Sequence, residues 1–184
     1  AREDIGVGER DAISRSIESI VDHLVELAQE LLNFSSEHMT LERQGVSLEA
    51  FAAKLQTVLR GHEIEIEMSD RVENPELLLD AERVIEALTC LTSVFERFDK
   101  SGLHLRIDTP GTDIYFSFYP LSATTLDVAN RMLGDPFSGT MEEHTVGMKL
   151  AVAVRIVDLH GGRFVLETDR LSIICPGRGQ EVEV

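Results

Sequence analysis

The sequence predicts an α/β fold: a two-layer α+β sandwich in which helices pack on one mixed sheet, preceded by a long helix suited to dimerisation. Three observations carry this. Residues 147–162, GMKLAVAVRIVDLHGG, are apolar almost all round, with Lys149, Arg155 and Asp158 as the charged positions; such a helix is buried on more than one side. Short segments of strict apolar–polar alternation lie among other helical patterns, as expected for helices layered on a sheet. Near the start, Ile13, Ile17, Ile20, Leu24, Leu27, Leu31 and Phe34 are spaced alternately four and three apart, which is a heptad seam.

A chain of 184 residues has room for one domain and a helical appendage. We place residues 1–40 in a lead-in and helical dimerisation segment and residues 41–184 in the α/β domain. Acidic residues outnumber basic ones 33 to 17, for a net charge of −16. Nucleic acid and anionic lipid repel such a chain, so a protein partner is expected, with no nucleic acid and no membrane contact. No apolar run reaches the roughly 20 residues that span a bilayer. Cys90 and Cys175 stand singly in apolar segments, which suits buried thiols in a reducing, cytoplasmic setting. The chain opens on Ala1 with neither an initiating methionine nor a signal peptide, which suits a fragment of a longer protein.

Residues 1–11 read as a polar lead-in. In the helix that follows, Val21, Val25, Ala28 and Leu32 form a second stripe beside the heptad seam. Two adjoining stripes suit a helix packed on two neighbours, as in a four-helix bundle. The chain has no second long helix of this kind, so a second subunit or a preceding helix is expected to supply the partner.

Ser47 to Leu59 reads as an amphipathic helix capped by Ser47. His62 to Met68 alternates strictly, with Ile64, Ile66 and Met68 on one face and Glu63, Glu65 and Glu67 on the other. Three aligned carboxylates are ordinarily a solvated strand face, and no metal site is expected. Asp80 to Phe98 is a long helix with Asp80 as N-cap and Val84, Ala87, Leu88, Leu91, Val94, Phe95 and Phe98 inward. Leu103–Ile107 and Ile114–Phe118 alternate around Thr109-Pro110-Gly111-Thr112, a hairpin signal. Thr124 to Leu133 is a further helix, and Gly134 to Gly147 reads as a loop. The buried helix stops at Gly161-Gly162, because glycine takes the left-handed backbone a helix end needs. Two strands joined at Thr168-Asp169 close the chain.

This order, and the segments DHLVELAQELLNFSSEHMTLERQGVSLEAF and GMKLAVAVRIVDLHGG, resemble sensor histidine kinases: their second dimerisation helix followed by the ATP-binding domain shared with gyrase and Hsp90. The resemblance implies three nucleotide-binding boxes, and each departs from the family pattern here. Cys90 and Val94 stand where the resemblance places two Mg²⁺-holding asparagines; thiol and valine are poor or null ligands for a hard cation. Glu86 remains one turn before Cys90. Phe118 stands where an aspartate reads adenine, and Pro120 and Ser122 stand where glycines let the backbone approach. The glycine-rich box at the helix start reads TVGMKLA, with Gly147 kept and Thr145 and Lys149 in place of the others; Lys149 alone could still reach a phosphate. Phe137 matches a packing position of the family.

The resemblance therefore implies a pseudokinase: a histidine-kinase-like signalling protein with no cofactor, acting by protein–protein interaction in bacterial two-component signalling. Its expected partner is a response regulator or a partner histidine kinase. Phe118, Tyr119, Leu121 and Met148 are expected to fill or cover the old pocket, and Ile13, Ile17, Ile20, Leu24, Leu27 and Leu31 to form a homodimer interface. An ATP-independent histidine phosphotransfer protein is the alternative, with His23 as a weak candidate phospho-acceptor, since the preceding helix that carries the family's histidine is absent. A fragment of an active kinase with a divergent ATP site is the third reading. His160 is expected to cap or pack its helix end, and His144, Glu142 and Glu143 to lie in a solvated loop.

Overall fold

The computed structural model describes residues 17, 21, 25, 40–72, 76–99, 102–135 and 141–177. The chain divides into two units, Ala1–Glu37 and His38–Val184. In the first, Ile17, Val21 and Val25 are helical and at least half exposed. Ile13, Ile20, His23, Leu24, Leu27, Leu31 and Phe137 lie outside the described residues.

The second unit begins with strand β1 (Gln44–Ser47) and helix α1 (Leu48–Val58). Ser47 caps the helix by accepting the Ala50 N–H at 3.2 Å. Leu48, Phe51, Ala52 and Leu55 are its buried face, the spacing of an amphipathic helix. Strand β2 (Ile64–Val72) and strand β3 (Glu76–Leu79) lead into helix α2 (Ala81–Phe98). Asp80 caps α2, accepting the Arg83 N–H at 3.1 Å. The inward positions expected on α2 are buried, except Phe98, which is half-buried.

Strands β4 (Leu103–Thr109) and β5 (Asp113–Tyr119) form the expected antiparallel hairpin. Gly111, at φ 66°, supplies the left-handed turn residue, a conformation glycine adopts without steric cost. Helices α3 (Ala123–Gly134) and α4 (Met141–Leu159) are followed by strands β6 (Arg163–Leu166) and β7 (Leu171–Pro176). The sheet order is β2-β4-β5-β7-β6, with β2 and β4 parallel and the other pairs antiparallel. The sheet is mixed, as expected.

One sheet face carries the core. Leu105, Ile107, Ile114, Phe116, Phe118, Leu171 and Ile173 are buried in one cluster with the helices' apolar faces. Phe51 of α1 meets Phe116 of β5 at 5.7 Å between ring centroids, and Phe95 of α2 meets Phe118 edge-on at 5.1 Å. Met68 is half exposed, because β2 is an edge strand.

Three expectations need correction. The segment 134–147 is not one loop: α4 starts at Met141 and takes in residues 141–147. Thr145, Val146 and Met148 are buried there, and that packing extends the helix beyond the point where the sequence pattern weakens. The second strand runs to Val72, four residues beyond Met68. Strands β1 and β3 were not expected; they pair as a separate two-stranded antiparallel sheet. Four residues are too few for alternation to declare a strand, although Leu77 and Leu79 are buried and Leu78 is exposed.

The stop of α4 follows the sequence expectation. Gly161 has φ 71°, its N–H reaches the Asp158 carbonyl at 2.8 Å, and the Gly162 N–H reaches the Val157 carbonyl at 2.9 Å. This paired closure is a Schellman motif.

Candidate functional site

Cys90 and Val94 lie one turn apart on α2, half-buried and buried respectively. Val94 belongs to the core cluster and Cys90 packs against it. Glu86, one turn earlier, accepts a hydrogen bond from Arg83 Nη1 at 2.8 Å. Phe118 is fully buried on β5, its ring against Phe95. Pro120 is exposed just after β5 and joined to Tyr119 by a cis bond.

Ser122 caps α3 by accepting the Thr125 N–H at 3.2 Å. Its own N–H donates to Asp99 Oδ2 at 3.0 Å. Burial raises the Asp99 carboxyl, but the hydrogen bonds from Thr125 and Ser122 outweigh it and hold the group below its ordinary range. Gly147 is buried within α4, six residues from its start. The free N–H groups of a helix belong to its first four residues, so Gly147 is past the part of a helix that receives a phosphate. Lys149 is half-buried on the same helix.

Leu121 and Met148 are buried with this group. Tyr119 is not: β-strand alternation turns it to the opposite sheet face from Phe118, where its hydroxyl donates to Glu67 Oε2 at 2.6 Å. The expectation that Tyr119 fills or covers the old pocket is therefore corrected.

A joint at the far ends of α2 and α4 was only partly readable in the sequence. Asp80 caps α2 with Oδ1, accepts the Glu42 N–H with Oδ2 at 3.0 Å, and donates its own N–H to His160 Nε2 at 3.2 Å. Nε2 is thus an acceptor, so Nδ1 carries the proton and donates to the Ile156 carbonyl at 2.8 Å. Arg43 Nη2 donates to the Leu159 carbonyl at 3.0 Å, meeting one of the acceptors a helix end leaves open. His160 does cap and pack the helix end. Its burial pushes its pKa down. Cys175 is also buried, its thiol pushed up to about 12 by desolvation, so it is inert at neutral pH.

The outer sheet face, away from the helices, bears Glu65 and Glu67 of β2, His104 of β4 and Tyr119 of β5. Glu65 pairs in register with His104, and His104 with Tyr119. The sequence showed the aligned glutamates but not His104 beside them, since alternation gives the face of a residue and not the neighbouring strand. A groove of about 660 Å³ runs on along this face, between Arg106 and Arg170.

No protein-family model matches this chain, and no curated protein matches it. Solved structures do. ShkA, solved full-length in complex with AMPPNP, superposes with a TM-score of 0.66 at 20% identity over 94% of this chain. The fold is that of the histidine kinases. The histidine kinase AdeS of Acinetobacter baumannii matches 96% of this chain and 87% of its own, with a TM-score of 0.59 at 16% identity. The histidine kinase ThkA, solved in complex with the response regulator protein TrrA, matches 98% of this chain and 54% of its own, also with a TM-score of 0.59 at 16% identity. This chain spans 40% of the length of ShkA. Among the described residues, no helix is long and apolar enough to cross a membrane.

Proposed function

We propose that this chain is a histidine-kinase-like signalling protein whose nucleotide pocket has become core, and that it acts in two-component signal transduction by binding another protein. The carrying observation is Phe118: fully buried and edge-on to Phe95 at the position where the resemblance calls for an adenine-reading carboxylate. A phenyl ring cannot accept the hydrogen bond that distinguishes adenine, and losing such a contact costs recognition heavily. Three further features support the reading. Val94 is part of the core, Ser122 is engaged as a helix cap, and Gly147 is inside a helix rather than at its phosphate-receiving end.

A response regulator is the partner class favoured, since the similarly folded ThkA was solved with one. The homodimer reading draws on the first unit. Ile17, Val21 and Val25 follow one another at four-residue steps on a helix and are at least half exposed, an apolar stripe that a second copy would cover.

Calorimetric titration of the folded chain with ATP and ADP, with and without Mg²⁺, tests the central claim. No saturable heat at millimolar nucleotide is expected. Mg²⁺-dependent binding in the micromolar range would overturn the reading and restore an ATP-dependent activity.

A further inference from the structure

We propose that Glu65, Glu67 and His104 form a binding site for a divalent transition-metal ion, Zn²⁺ fitting best, on the outer sheet face. Their ligand atoms lie within 4.8 Å of one another. His104 Nδ1 stands 2.8 Å from Glu67 Oε1 and 3.7 Å from Glu65 Oε2. Among the described residues this nitrogen is shielded from solvent and has no hydrogen-bond partner of good geometry; its contacts are the ion pairs to the two carboxylates. A ring nitrogen shielded from solvent and facing two carboxylates, on a side chain otherwise 28% exposed, is a donor atom available to a cation placed among the three.

The surroundings orient the ligands as a metal site requires. Glu65 and His104 are register partners on neighbouring parallel strands, so the backbone fixes their spacing. The Tyr119 ring stacks on the His104 ring at 5.4 Å and 13°, which sets the imidazole plane. The Tyr119 hydroxyl donates to Glu67 Oε2 and leaves Oε1 for the ion. Outer hydrogen bonds of this type orient ligands and raise affinity.

The donor set selects the ion. One imidazole nitrogen and two carboxylates suit Zn²⁺ at about 2.0–2.2 Å, whereas Mg²⁺ and Ca²⁺ prefer oxygen donors throughout. Glu65 is mostly exposed, so its side chain can close onto the ion, and the fourth position opens to water.

The test is calorimetric titration of the whole chain with ZnCl₂ in a non-chelating buffer. One equivalent is expected to bind in the micromolar range, with no saturation by MgCl₂. His104→Ala and Glu67→Gln should each weaken binding at least tenfold, and Tyr119→Phe by about tenfold through the lost outer hydrogen bond. His62→Ala should bind as the parent does, although His62 also contacts a carboxylate, that of Glu96. Circular dichroism confirms that each variant is folded. Absence of saturable binding to the folded parent, or an affinity unchanged from the parent's in His104→Ala and Glu67→Gln, would overturn the site; so would loss of binding in His62→Ala instead.

Discussion

Asp80 and His160 meet through one N–H, and the joint depends on a neutral imidazole. His160 accepts from Asp80 at Nε2 while Nδ1 donates to Ile156; a second proton would remove that acceptor. Its pKa is lowered chiefly by burial, with Arg43 also lowering it and Asp80 opposing. The unfolded chain therefore takes up a proton near the ordinary histidine value, about 6.5, before the folded chain does. Stability from this group is complete above that value and declines as pH falls through it toward the lower folded value. The melting temperature is expected to drop between about pH 7 and pH 5, and the drop to be smaller in His160→Gln. Equal slopes for parent and variant would remove His160 as the cause. Glu67 and Asp99, both lowered, act in a more acidic window, below the ordinary carboxylate range.

At the level of elements, the end of α4 separates two reasons for a glycine. Gly161 adopts φ 71° with, among the described residues, only Pro176 Cγ near a would-be side chain, at 3.8 Å. Gly161→Ala should cost about 1 kcal/mol, the strain of a left-handed backbone. At Gly162 an added Cβ would meet the Ile174 carbonyl oxygen at 2.7 Å and Val157 Cγ1 at 2.9 Å, so β7 or α4 must move. Gly162→Ala should be the more damaging, at about 2–4 kcal/mol, the range of overpacked cores and worse. Urea unfolding of the two variants checks the order; a reversal would mean the helix end relaxes more readily than the geometry implies.

These glycines were legible in the sequence, as were the caps at Ser47 and Asp80, because local chemistry decides them. The start of α4 was not, since Thr145, Val146 and Met148 become helical through burial that no local pattern announces. Strands β1 and β3 escaped because four residues carry too little periodicity. The pocket residues Cys90, Val94 and Phe118 were legible as departures from a family pattern, whereas Tyr119 was misread because its position in chain order hid its sheet face. The site of Glu65, Glu67 and His104 needed the parallel register of β2 and β4, which depends on a crossover through α2.

For the whole molecule, net charge governs how two copies approach. Each chain carries −16, so any association of two copies works against long-range repulsion. Raising ionic strength from about 0.01 M to about 0.15 M shortens the screening length from roughly 30 Å to roughly 8 Å. The proposed homodimer should therefore tighten with added salt, as an apolar helical seam relieved of repulsion does. Light scattering across that range measures it. Dissociation on adding salt would point instead to a contact held by opposite charges.

The strand order also governs when the domain can assemble during synthesis. The last of the described strands to be made, β7, lies inside the sheet, bonded to β5 on one side and β6 on the other. Until residues 171–176 emerge, β5 has an open edge where its neighbour belongs, and β6 has no bonded place in the sheet. The buried side chains Leu171, Ile173 and Cys175 arrive in the same step. A nascent chain halted before residue 171 thus presents an unpaired apolar strand, the kind of edge that recruits other chains. This domain closes from its middle, and it does so at the end of translation of the segment that encodes it.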